Sequence, residues 1–178
     1  MILVTRQENT VHCETLSLDP AVEKYVDVVR RYCSWAESFP GDPYHEMITA
    51  RLLLSELHFS VINLPPIELS EDSKSKPLGQ EALKSIHERF SRLPVAGYWD
   101  VFDPLESCQN RPVFGLLADD LTDIYRDLKT HLALFDAGRI NEALSLWRFN
   151  FLTNWGYHVA GVQHVLHSYF ANEQLNLD

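Results

Sequence analysis

Acid and imidazole side chains recur at helical spacing in the second half of this chain. Asp119, Asp120, Asp123 and Asp127 are followed by His131, and His158, His164 and His167 lie further on. Steps of three and four put Asp120, Asp123, Asp127 and His131 on one flank of a helix, within an arc of roughly 80° at about 100° per residue. Carboxylates so placed repel one another by a few tenths of a kcal/mol, so something must offset their charge. Ordinary electrostatics offers two answers: the favourable first helical turn for Asp119 and Asp120, and an ion pair between Arg126 and Asp123. A third is a bound cation. Oxygen donors joined by an imidazole suit a hard or borderline divalent ion, with Asp120, Asp123, Asp127 and His158 as the donor set.

The three later histidines do not converge on one ion. His158 borders the apolar arc of its helix on one side and His167 on the other, while His164 faces solvent. His158 is the one placed to reach a neighbouring helix. A partly buried histidine bonded to a carboxylate is the ordinary outcome there. The string Asp119-Asp120-x-x-Asp123 matches the magnesium-binding signature of prenyl-chain enzymes, but the second acidic motif is missing and the chain is short for that fold. There is no His-Glu-x-x-His, no Gly-x-Ser-x-Gly elbow and no phosphate-cradling glycine loop. Glu142-x-x-Ser145 is the nearest approach to the Glu-x-x-His pair of di-iron bundles. Glu46 and Arg51 offer one more carboxylate and one more cation able to face inward.

Helices must position these groups, and the sequence marks their ends. Asp19-Pro20 and Asp42-Pro43 each pair a capping carboxylate with a proline suited to the first helical position. A first helix follows with Val22, Tyr25, Val26, Val29, Cys33 and Ala36 at helical spacing, and Pro40-Gly41 breaks it. A second runs to about residue 63 with Met47, Ala50, Leu53, Leu54, Leu57 and Val61 inward. The polar stretch 68 to 76 is a loop, and a third helix spans about 78 to 92, burying Ala82, Leu83, Ile86 and Phe90. Residues 94 to 114 form a long aromatic connection carrying Tyr98, Trp99, Phe102 and Phe114, and rings of that size gain most by burial at one end of the bundle. The fourth helix covers about 117 to 137, with Gly138 as a left-handed cap. A fifth, about 140 to 172, is antiparallel to it and roughly 45–50 Å long if straight; Gly156 marks a kink or a close helix contact. The expectation is an all-α, single-domain bundle of about five main helices over residues 18 to 172, with residues 1 to 17 as a lead-in, a short strand or disordered.

Bulk properties narrow the function classes. A chain of 178 residues is one domain with an ordinary core, and its net charge of −10 repels nucleic-acid phosphates. Arg30-Arg31 and the Lys74/Lys76 pair are the densest basic spots, too small for a phosphate-binding stripe. Three scattered cysteines, Cys13, Cys33 and Cys108, form no zinc or redox motif. The run Met1-Ile2-Leu3-Val4 is too short for a signal peptide, and no apolar run reaches membrane-spanning length. A cytoplasmic protein with no nucleic-acid or membrane partner is expected, its partner a second copy or another protein.

Three patches carry a resemblance. They are Asp119-Asp120-Leu121-x-Asp123-Ile124-Tyr125-x-Asp127-Leu128-Lys129, the upstream Leu93-Pro94-x-x-x-Tyr98-Trp99-x-x-Phe102-Asp103-Pro104, and the downstream Trp147-x-Phe149-x-Phe151-x-x-x-Trp155-Gly156-x-His158. Over residues 20 to 170 the chain resembles a bacterial family known as domain of unknown function 5063. The resemblance implies a small helical protein and brings no activity with it.

Two functions stay open. The first is a non-enzymatic protein acting by binding or self-association, because no catalytic constellation is complete; the acid flank (Asp120, Asp123, Arg126, Asp127) and the aromatic residues Tyr98 and Trp99 are its candidate ligand-binding residues. The alternative is a divalent-metal-binding helical protein, a hydrolase among its forms, in which Asp120, Asp123 and Asp127 hold the ion and His158 is a fourth ligand or base.

Overall fold

The computed structural model describes residues 18–68, 76–101, 105 and 111–175. Within them the order is α1 (Pro20–Glu37), α2 (Pro43–Ile62), α3 (Gln80–Phe90), β1 (Gly97–Asp100), β2 (Val113–Leu116), α4 (Leu117–Asp136), α5 (Ile140–Asn150), a π-helical turn (Phe151–Trp155) and α6 (Gly156–Leu175). The chain is an all-α single domain with one small strand pair. Expectations for residues 1 to 17, for most of the charged loop after Glu68, and for Phe102, Cys13 and Cys108 lie outside the described residues.

Both Asp-Pro signals start helices. Asp19 accepts from the Ala21 N–H, and Asp42 accepts from the N–H groups of Tyr44 and His45. Gly138 takes φ +81° after α4, and the Arg139 N–H bonds back to the Leu134 carbonyl. That six-residue closure turns the chain tightly into α5. α4 and the α5–α6 rod run antiparallel: Trp147 Nε1 donates to the Leu128 carbonyl, Asn154 meets Asp127 and His158 meets Asp120. Trp147, fully buried, packs edge-on to Tyr25 of α1 at 5.2 Å and lies 6.0 Å from Phe135. α1 closes the other side, where Tyr32 donates to the Leu121 carbonyl.

Three expectations need correction. The connection 94 to 114 is not wholly irregular: β1 and β2 pair antiparallel, Trp99 opposite Phe114. Directly opposed residues share a face, so these rings stand together on the outer face, and Trp99 is 68% exposed where burial was expected. Burial failed as a guide because Tyr98 and Asp100, on the other face of β1, take the contact with the bundle. The third helix is shorter than expected and leaves Ala82 exposed; Arg89 is buried in its place. The fifth helix is interrupted by the π turn. The apolar spacing accommodates that turn: Trp147, Phe151, Trp155 and Val159 follow at three steps of four, each drifting about 40° round a regular helix. One residue held in a wider turn takes up that drift. Gly156 is required there, since a Cβ would sit 2.2 Å from the Phe151 carbonyl oxygen.

Candidate functional site

The flank expected from the sequence is real, and it faces a matching row on the second helix. Steps of three and four place Asp120, Asp123 and Asp127 along α4; steps of four and three place Asn154, His158 and Gly161 along the π turn and α6. Because the helices are antiparallel, the rows meet as rungs. Asn154 Nδ2 donates to Asp127 Oδ2 at 2.8 Å. His158 Nδ1 lies 2.7 Å from Asp120 Oδ1, and its Nε2 lies 3.7 Å from Asp123 Oδ2. Arg126 donates to Asp123 at 2.7 Å and stands 3.6 Å from Asp127.

The strand pair covers one end of this ladder. Tyr98 donates its hydroxyl to Asp120 Oδ2 at 2.8 Å. It can do so because residue 161 is glycine: a Cβ there would lie 2.3 Å from the Tyr98 hydroxyl and 3.1 Å from Asp100 Oδ2. The Leu117 N–H bonds to the Ala96 carbonyl and fixes the strands to the start of α4. Asp120 is thereby held from two sides, by a phenol and an imidazole, and is largely withdrawn from water with a side chain 13% exposed.

The electrostatics follow from these partners. The bond to Asp120 raises the His158 imidazole above its ordinary value; burial opposes this, and the charges of Asp120, Asp123 and Asp127 add to the rise. Burial raises the Asp127 carboxyl despite the bond from Asn154 and the charge of Arg126. Burial and the Asp120 carboxylate push the Tyr98 phenol up, so it stays a donor. His131, on the same flank by sequence, does not join the site. It is buried beside Trp147, burial lowers it to about 4, and its Nδ1 finds no partner among the described residues. Cys33 is a buried core residue whose thiol burial pushes up to about 12, the profile of an unreactive cysteine.

The site therefore gathers Asp120, Asp123, Arg126, Asp127, His158 and Tyr98, and leaves Trp99 outside on the far face of β1. Glu46 turns inward as expected but bonds Arg89, while Arg51 stays exposed. Asn154 and Gly161 were missed. Gly161 had a faint signal, a small residue inside an apolar helix; Asn154 had none, because the π turn alone aims it at α4. An Asp–His pair resembles two-thirds of a nucleophilic triad, yet no hydroxyl or thiol is hydrogen-bonded to His158 Nε2 among the described residues. Nor do the described residues hold a group of three or more His, Cys, Asp or Glu side chains arranged for a metal ion. What the arrangement can do is keep a proton on His158 between two carboxylates and so hold α6 against α4.

Comparison with known proteins fits this architecture. Residues 17–172 match the family described as Domain of unknown function (DUF5063). The chain belongs to that family. No curated protein matches it. Among solved structures, a Bacteroides fragilis protein superposes with a TM-score of 0.71 at 22% identity, covering 85% of this chain and 92% of that one. That likeness shows the fold alone. No helix among the described residues of this DUF5063 chain is long and apolar enough to cross a membrane.

Proposed function

We propose that this DUF5063 protein is a non-enzymatic binding protein of the cytoplasm, and that its contact surface is the outer face of the strand pair. One observation carries the reading: Trp99 and Phe114, side by side with ring centroids 5.3 Å apart, stand outward, 68% and 50% exposed, on strands bolted down from behind by Tyr98 and Asp120. Paired rings with that much open surface, on a support that does not need to rearrange, have the character of a protein-binding hot spot. The acid ladder beneath supplies the rigidity: its carboxylates are engaged by Tyr98, His158, Arg126 and Asn154 rather than presented to a ligand.

The test pairs wild type with a Trp99→Ala/Phe114→Ala variant, each carrying a photo-crosslinking residue at Leu116, which is exposed on the same face as Phe114. Wild type should crosslink in cells to one defined protein or to its own copy, and the variant should lose that product while its melting temperature and circular dichroism stay unchanged. An identical crosslinking pattern from both removes the basis for the reading. So does a stoichiometric divalent ion in tag-free protein that Asp123→Asn abolishes, an outcome that favours the metal-binding alternative instead.

A further inference from the structure

α2 has an outward face that the bundle leaves uncovered. Ile48, Leu52, Ser55, Phe59 and Ile62 succeed one another at steps of four, three, four and three. That is the 3.5-residue period of a coiled-coil seam, here about 21 Å long. Leu52, Phe59 and Ile62 are each more than half exposed. α2 buries a second stripe on its other side, so the helix is apolar nearly all round, a pattern that ordinarily belongs to a helix covered on both faces. Beside the seam, between α2 and the end of α6, lies an open groove of about 320 Å³ walled by Tyr44, Ile48, Leu52 and Phe170. It is large enough for one bulky apolar side chain and several waters.

Two cations stand on the borders of this face. On the α6 side the Arg51 guanidinium lies 5.3 Å from the centre of the Phe170 ring. On the α1 side the Lys24 ammonium lies 4.9 Å from the centre of the Phe59 ring. Neither cation makes an ion pair among the described residues, in a chain of net charge −10. The acid on that border, Glu56, is already bound to Arg31. Further acids stand at the start of α2, where Asp42 and Glu173 act on Tyr169.

We infer that this face receives an acidic amphipathic helix of a partner protein. The guest's apolar stripe seats on Leu52, Phe59 and Ile62, one large apolar side chain enters the groove, and carboxylates on its two flanks meet Arg51 and Lys24. Helix-in-groove recognition needs those parts: an apolar track, a pocket for an anchor and flanking charge that sets the partner. A second copy of this chain fits less well. In an antiparallel pair like flanks meet, which brings Arg51 towards Arg51, while Glu56 on the other flank is already bound to Arg31. This surface is separate from the strand-pair face, so the two readings stand or fall independently.

Two synthetic helix-forming peptides test it, both with a leucine stripe, one with glutamates on its flanks and one with lysines at the same positions. By fluorescence anisotropy at low salt, the glutamate peptide should bind the full chain about tenfold or more tighter than the lysine peptide, and added salt should narrow the gap. Lys24→Glu/Arg51→Glu should invert the preference, Leu52→Ser should weaken both peptides, and Trp99→Ala/Phe114→Ala should change neither. All these positions are exposed, so unchanged melting temperatures serve as the folding control. Equal affinity for the two peptides, or no binding of either at about millimolar concentration, overturns the proposal. So does sedimentation showing a dimer that Phe59→Glu converts to monomer, since a second copy would then occupy the face.

Discussion

Among the polar clasps between helices of this bundle, two differ sharply in openness and chemistry. One joins α2 to α3: Arg89 donates to Glu46 at 2.6 Å and to the Ser38 carbonyl at 3.0 Å, with side chains only 6% and 11% exposed. The guanidinium lies 4.8 Å from the Trp35 ring centre and 5.1 Å from that of Phe90. Burial raises the Glu46 carboxyl, but bonds from the Gly41 N–H, Arg89 and Trp35 outweigh it and hold the group below the usual range. The other clasp joins α4 to α6 through Asp120 and His158 and reaches solvent at the imidazole. The first contains an arginine that never gives up its proton, the second a histidine that can. A fold can use the same electrostatics as a permanent bolt or as a catch that responds to pH, and the identity of the cation decides which.

Breaking the bolt should have the largest effect. Arg89→Met leaves Glu46 charged and buried without its cation, and should cost about 3–5 kcal/mol in chemical denaturation. Adding Glu46→Gln removes the stranded charge and should restore a large part of the loss. Nη1 of Arg89 has no partner among the described residues, so the wild-type pair carries a desolvation cost of its own. A single variant as stable as wild type would show that the α2–α3 junction does not depend on this pair.

The catch should give a smaller effect with a pH signature. The folded-state value of His158 is raised, so its stabilisation is complete below the unfolded value of about 6.5 and is lost as pH rises through the folded value. His131, which burial lowers to about 4 in the fold, titrates alike in both proteins and cancels from their difference. As pH rises from about 6.5 through the raised folded-state value, wild type should lose stability relative to His158→Gln, with a gap near 1 kcal/mol at the acid end for a partly exposed pair. Parallel pH profiles for the two proteins would remove the titrating clasp.

The contrast also shows which parts of the molecule can be read from sequence. Helix starts at Asp19-Pro20 and Asp42-Pro43, the left-handed Gly138 and the acid flank are encoded within one turn of backbone, and each is found where the local pattern puts it. Asp123 with Arg126 is of the same kind, three residues apart on one helix. Arg89 with Glu46 spans 43 residues, and nothing in the spacing of α3 announces a buried arginine. Tyr98 reaches Asp120 only because β1 pairs with β2 and because α6 has a glycine under the phenol. Asn154 faces Asp127 only because a π turn shifts the phase of the helix after Trp147. Local chemistry was legible; contacts that depend on phase, register or the absence of a side chain on a distant element were not.

The smallest effect separates the two ends of the acid ladder. Asp120 and Asp127 look equivalent on the wheel, yet their partners differ: a phenol and an imidazole for the first, a neutral amide and a more distant Arg126 for the second. Burial raises the folded-state value of Asp127, so folding favours its protonated form, and at neutral pH the ionised carboxylate weakens the fold. Asp127→Asn keeps an oxygen to accept from Asn154 and removes both the buried charge and its repulsion from Asp123. At pH 7 the variant should match wild type or exceed it by about 0.5 kcal/mol, and the difference should vanish on acidification once Asp127 is protonated in both states. Asp120→Asn, which replaces a charge-assisted bond to His158 by a neutral one, should melt below wild type at the same pH. If Asp127→Asn proves the more damaging of the two, the anionic charge at Asp127 is needed where its surroundings disfavour it, and Arg126 rather than Asn154 is the partner that matters.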